Sequence, residues 1–198
     1  MRHSSFIINI TAALLLSGLC ANAFAGWQLD SEASSVQFIT IKNTNLAESH
    51  SFGEVSGSID DAGVVTVSLG LDSVETLVPI RNERIREFLF ETANFATAEI
   101  SAAVQSAHIN AVVAGDVVKK VIPVTLSLHG ESKTIDVSVI LIGTENGTLL
   151  ATTAQPILVN AADFALTDGV EKLRELAGLE SISWAVPVSF QLEFVAAP

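Results

Sequence analysis

Val186-Pro187-Val188-Ser189-Phe190-Gln191-Leu192-Glu193-Phe194 places an apolar side chain at every second position. A period of two sends those five residues to one face of an extended strand and the residues between them to the other. The same rhythm recurs upstream. Val65, Val67, Leu69 and Leu71 alternate with Thr66, Ser68 and Gly70; Val124, Leu126 and Leu128 alternate with Thr125 and Ser127; Ile135, Val137, Val139 and Leu141 alternate with Asp136 and Ser138. Each run buries one face and wets the other, as antiparallel strands do. His129-Gly130 separates two such runs as a tight hairpin turn would. Asp60-Asp61-Ala62-Gly63 and Glu145-Asn146-Gly147 are further turn clusters. Gly53 and Gly57, inside the strand-like run Ser51 to Ile59, mark a bend at a barrel corner. Strands at this spacing with no helices alternating between them predict an all-β closed barrel or sandwich, in one domain.

Two segments break the rhythm. In Val74 to Phe95, Ile85, Phe88 and Leu89 share a helical face, while Arg81, Arg84, Arg86 and Glu87 take the others. Farther on, Asp168 is placed to cap a helix with Glu171 three residues later. Val170, Leu173, Leu176 and Ala177 form its stripe, and Gly178 ends it. Both helices are too short to stand alone and are expected to dock on the strands.

The first 25 residues read as a secretory leader rather than as part of the fold. Met1-Arg2-His3 is a basic start, Phe6 to Leu19 is apolar, and Ala23-Phe24-Ala25 supplies small residues for cleavage before Gly26. The apolar run is too short for a comfortable membrane span. The bulky Leu19 before Cys20 argues against a lipoprotein, and cleavage after Ala25 leaves a mature chain, residues 26–198, without cysteine. An exported chain of that kind is held by its core alone. The full chain carries 10 basic against 22 acidic side chains. That balance disfavours nucleic acid and anionic lipid surfaces, but not a single lipid held inside.

Signals for catalysis or metal binding are weak. His50, His108 and His129 have no metal-ligand partner at the usual helical or turn spacings. His129, beside Gly130, reads as a solvated turn residue. No nucleophile elbow, zinc-binding helix motif or phosphate loop occurs. No catalytic residue and no metal site is therefore assigned, and the chain is read as a non-enzyme. The arginines allow two readings. One is a solvated helix face with Arg84 and Glu87 paired at i,i+3. The other sets Arg81 or Arg84 at a cavity mouth, where a guanidinium could meet a carbonyl or phosphate. A barrel of about eight strands can fill its interior with side chains or keep a cavity for one small ligand, and alternation alone leaves both open.

Several motifs, in order, resemble those of the YceI-like family of exported bacterial proteins. They are Trp27-Gln28-Leu29-Asp30 with Ser34-Ser35-Val36-Gln37-Phe38; Phe52-Gly53-Glu54-Val55-Ser56-Gly57-Ser58-Ile59; Val74-Glu75-Thr76 with Arg81 to Arg86, then Phe90 and Phe95; and Val124 to Gly130 with Lys133. The resemblance runs from Trp27 to Phe194. It implies an extended lipocalin-like antiparallel β-barrel with one or two short helical insertions, and a periplasmic location. It also implies an elongated apolar pocket for an isoprenoid-type lipid, a quinone or a polyprenyl chain, bound without covalent attachment. Phe38, Leu69, Ile85, Phe88, Leu89 and Phe95 are the expected lining, with Arg81 near the entrance. Many members have an acid after the arginine and a histidine two residues later; here Asn82 and Arg84 stand there, so roles of that acid and histidine do not transfer. Carriage, storage or sequestration of the lipid is the expected function. The alternatives are a quinone-linked accessory of a membrane electron-transfer protein and an enzyme acting on a hydrophobic substrate. Monomer and homodimer are equally compatible with the sequence.

Overall fold

A computed structural model of the chain describes residues 26–105, 109 and 117–197; the leader with Cys20, and His108, lie outside the described residues. Among the described residues, eleven strands form one antiparallel sheet. They are β1 (Trp27–Lys42), β2 (Leu46–Phe52), β3 (Val55–Ile59), β4 (Val64–Gly70), β5 (Val74–Glu75), β6 (Thr97–Ala103), β7 (Val117–Leu128), β8 (Glu131–Gly143), β9 (Leu149–Thr153), β10 (Ile157–Asn160) and β11 (Ala185–Ala196). Pairing runs β11-β9-β8-β7-β6-β4-β3-β1, and β1 returns to β11, so eight strands close a barrel. Of the expected alternatives the chain takes the barrel. The short strands β2, β5 and β10 extend it at one end.

Alternation produces the closure. Val137, Val139 and Leu141 of β8 and Leu192 and Phe194 of β11 are buried at every second position. Leu128 pairs with Glu131 across His129-Gly130, and positive φ at both turn residues (52° and 82°) makes this a type I′ turn, whose twist suits a hairpin. The corner expected near Gly53 is present: β2 ends at Phe52, β3 resumes at Val55, and the Gly53 amide donates to Ser73 O at 3.1 Å. At Gly57 a Cβ would lie 2.5 Å from Thr66 O of β4, so the strands approach there only because a side chain is missing. Between Asp30 and Ser35, β1 carries extra residues relative to β11, a bulge that bends the long strand around the barrel.

The two insertions are helical, with corrected details. Helix α1 (Pro79–Arg84), with proline in its first turn, runs straight into a π-turn, Ile85–Phe90. The wider turn returns residue i+5 to the face of residue i. Ile85 and Phe90 are therefore the buried pair, and Phe88 rotates off the face that a period of 3.6 assigns to it. Helix α2 (Thr167–Ala177) ends at Gly178, whose φ of 63° supplies the left-handed cap expected there. Its start differs. Leu166 occupies the cap position without a side-chain hydrogen bond, Asp168 lies within the first turn, and Glu171 accepts from Arg174 Nε at 2.6 Å. Asp168 still adds favourable negative charge at the helix start. Among the described residues no helix is long and apolar enough to cross a membrane.

Candidate functional site

The inward-facing residues do not fill the barrel. They surround a cavity of about 630 Å³, a volume typical of sites for one small organic ligand. Its wall is apolar except for Thr40, Lys42, His50, Arg81, Arg84 and Ser183. The long interior is lined by the alternating Val, Leu, Ile and Phe residues of the barrel strands. One side is closed by Ile85, Leu89 and Phe90 of the π-turn and by Val170, Leu173 and Ala177 of α2. The helices can lie this close because residue 169 is glycine: a Cβ there would sit 2.5 Å from Phe88 O and 2.9 Å from Leu89 Cα.

The polar residues gather at one end because of strand register. Along the second half of β1, Val36, Phe38, Thr40 and Lys42 point inward, opposite Phe52, His50, Glu48 and Leu46 of β2. Phe38 lies 5.2 Å from both the His50 and the Phe52 ring, and Phe52 lies 6.0 Å from Phe90, giving an aromatic floor beneath the polar end. His50 is 5% exposed; its Nε2 lies 2.9 Å from Thr40 Oγ1, and its Nδ1 has no hydrogen-bond partner. Burial, reinforced by the Arg81 charge and only partly opposed by Glu48, lowers the pKa of His50 and keeps the ring neutral.

Glu48 binds two cations. Lys42 Nζ lies 2.8 Å from its Oε2, and the Arg81 guanidinium meets the same oxygen. The Lys42 hydrogen bond pulls the Glu48 carboxyl below its usual pKa; partial burial opposes the shift and Arg81 adds to it. Arg81 is anchored on its other side, Nε donating to Thr76 Oγ1 at 2.9 Å and Nη2 to Thr76 O at 2.6 Å. Thr76 is in turn held by buried Asn82, whose Oδ1 accepts from the Thr76 amide at 2.9 Å and from its hydroxyl at 2.5 Å. Asn82 thus latches the entry into α1. The next residue, Leu77, is 87% exposed with φ of 62°, its amide tied to the Glu75 carboxylate. Val78 and Ile80 are both exposed and part of the cavity wall, so an apolar rim continues from the interior to the surface.

Of the residues expected from sequence, Phe38, Leu69, Ile85, Leu89 and Arg81 border the cavity. Phe88 and Phe95 do not: the π-turn rotates Phe88 away, and Phe95 packs on the His129 ring at a centroid distance of 4.4 Å. His129 is correspondingly not a solvated turn residue; its side chain is 12% exposed and lies 3.6 Å from the Glu91 carboxylate. Arg84 lines the cavity and donates to Leu176 O at the end of α2, and Arg86 donates to Asp72 O. Sequence reasoning missed Thr40, Lys42, Glu48 and His50. The available signal was their spacing of two, in phase with Phe38 and Phe52. Among the described residues no group of three His, Cys, Asp or Glu side chains could hold a metal.

Fold and cavity define a class: closed antiparallel barrels that keep a lined interior for an apolar ligand. Residues 27–194 match the model of the YceI-like domain, and the chain belongs to that family. A polyisoprenoid-binding domain from Saccharophagus degradans, implicated in plant cell wall breakdown, is 35% identical, with a TM-score of 0.84 over 88% of this chain and 99% of that one. BcnA of Burkholderia cenocepacia is 17% identical, with a TM-score of 0.60 over 83% of this chain and 98% of its own. A Campylobacter jejuni YCEI protein is 14% identical, with a TM-score of 0.52 over 73% and 82%. The last two are similar in fold alone. No curated protein matches the chain.

Proposed function

We propose that this protein is a periplasmic carrier that holds one isoprenoid-type lipid, a quinone or a polyprenyl chain, with its tail in the barrel. The observation that carries the reading is the cavity of about 630 Å³, apolar over all but one end. Each buried CH2-sized unit of a tail gains roughly 0.8 kcal/mol over water. A wall of Val, Leu, Ile and Phe supplies that burial without charge pairing. The 35% identical polyisoprenoid-binding domain supports the same ligand class. Export is supported by the basic start, apolar run and Ala23-Phe24-Ala25 of the leader. The reading is of a binding protein rather than an enzyme. In its quinone form it implies release of the lipid to a membrane electron-transfer protein.

The test is native mass spectrometry and solvent extraction of the protein purified from the periplasm of its host. The expected result is a stoichiometric prenyl lipid, with oligomeric state read from the same spectrum. A protein that is consistently lipid-free from the native source, and takes up no prenyl lipid when offered one, overturns the carrier reading. A periplasmic fraction without the protein overturns the location.

A further inference from the structure

We propose that the rim of the cavity is a membrane-contact face, which seats the barrel on a bilayer of zwitterionic lipid so that an apolar chain passes between bilayer and cavity without crossing water. The proposal goes beyond the carrier reading, because it assigns a surface and a partner rather than a ligand.

Three segments form the rim, and each is tied to the next. The turn after β1 is bound to the segment that follows α2: the Asn43 amide donates to Ser181 O at 3.0 Å, the Ser183 amide to Ile41 O at 2.9 Å and the Glu180 amide to Asn43 Oδ1 at 2.9 Å. Helix α1 is joined to β2 by Arg81 and Glu48, and to the end of α2 by Arg84, which donates to Leu176 O at 3.2 Å. Lys42, Val78, Ile80, Leu179 and Ile182, drawn from all three segments, also line the cavity. The ring is thus continuous with the interior.

This ring carries Leu46, Leu77, Val78, Ile80, Leu176 and Trp184, all exposed. Exposed apolar residues scattered singly are ordinary. Here Leu77-Val78-Pro79-Ile80 are four in succession, every one exposed, and a surface run of that length calls for a partner. Leu77 is 87% exposed and its backbone is left-handed, with φ of 62°. A bulky side chain adopts that conformation only where its surroundings impose it. They do: the Glu75 carboxylate holds the Leu77 amide, and Asn82 and Arg81 fix Thr76 beside it. A leucine held out rigidly in this way gains nothing in water and gains its full burial among acyl chains. Trp184, on the third segment, has the amphipathic ring favoured at the level of lipid head groups.

The charges fit a zwitterionic surface. Lys42, Arg81 and Arg84 lie on the cavity wall at this end, while Glu75, Glu83 and Glu180 beside them are exposed. A phosphocholine or phosphoethanolamine head offers a phosphate to the first set and an ammonium to the second. An anionic surface would instead meet a chain of net charge −12, and a second copy of the chain would bring the same charge to the contact.

Vesicles of phosphatidylcholine and phosphatidylethanolamine with brominated acyl chains test the contact through quenching of tryptophan emission. Trp27 opens β1, at the far end of that strand from Lys42, so quenching should come from Trp184 and vanish in Trp184→Phe. Leu77→Asn removes the apolar side chain at a backbone angle that asparagine tolerates. It should keep the thermal midpoint and the affinity for geranylgeraniol offered in solution, yet lower vesicle partitioning about tenfold. Leu46→Asn, across the ring, should act in the same direction and stands in should Leu77→Asn fail to fold. An unquenched parent protein, quenching that survives Trp184→Phe, partitioning unchanged in both asparagine variants, or tighter binding to phosphatidylglycerol vesicles each overturn the face. So does a dimer, seen by light scattering, that Leu77→Asn dissociates. Quenching is read with the cavity full or empty, so a protein that docks but takes up no prenyl lipid keeps the face and overturns only the carrier reading.

Discussion

At the scale of single residues, Glu48 and His50 make the cavity mouth sensitive to acid, in two separable steps. His50 titrates below its usual 6.5 in the folded protein because burial disfavours the imidazolium. On acidification the unfolded chain therefore takes up that proton first. The stability contribution is fully present above 6.5, is lost as pH falls from there, and levels off below the folded value. Glu48 is held below its usual 4.5 by Lys42 and Arg81, so its contribution is present above 4.5 and is lost as pH falls through the lower folded value. Denaturant titrations between pH 8 and pH 3 should show both losses. His50→Leu should flatten the first and Glu48→Gln the second. At neutral pH Glu48→Gln should cost only about 0.5–1 kcal/mol, since the ion pairs are partly exposed and screened. Arg81→Ala, by contrast, removes a guanidinium that ties Glu48 to Thr76. It should shorten the residence time of a bound lipid in a displacement assay, and unchanged release would remove Arg81 from the mouth.

At the scale of elements, the docking of α2 on the π-turn rests on one missing methyl group. Gly169→Ala places a Cβ against Phe88 O and Leu89 Cα, both backbone atoms that cannot swing aside. The expected cost is about 1–3 kcal/mol by thermal or denaturant unfolding, with faster lipid release because Leu89 and Val170 part. This is also where sequence reading reached its limit. The strands were legible because a half-buried strand writes its two faces at alternate positions, and His129-Gly130 announced its turn through residues that tolerate positive φ. The helical insertion was legible as a helix but not in its phase. A π-turn carries no composition of its own, so Phe88 was assigned inward and Phe90 was not assigned to the wall. The polar end was hidden for a different reason. Thr40, Glu48 and His50 meet only through the β1–β2 register, in which Thr40 faces Glu48 and Phe38 faces His50, and register is a property of two segments together.

At the scale of the whole molecule, the barrel closes around an interior that it does not fill. Filling that interior from one wall should separate stability from binding. Ala151→Phe, on β9 between Leu141 and Leu192, adds an aromatic ring to the cavity. Unfolding free energy should hold or rise by about 1 kcal/mol as apolar surface is covered, while retention of a long prenyl chain is lost; a variant that still holds the chain would show that the tail lies elsewhere. The closing seam has a further consequence, in the order of folding. β1 and β11, residues from the two ends of the described chain, pair directly, Trp27 with Ala196 and Phe38 with Val188. Contacts between such distant segments form late and slowly, because a long loop must close before they are rewarded. The barrel therefore has no enclosed interior until its last strand arrives. In the proposed carrier, a lipid is therefore enclosed only once β1 and β11 have paired.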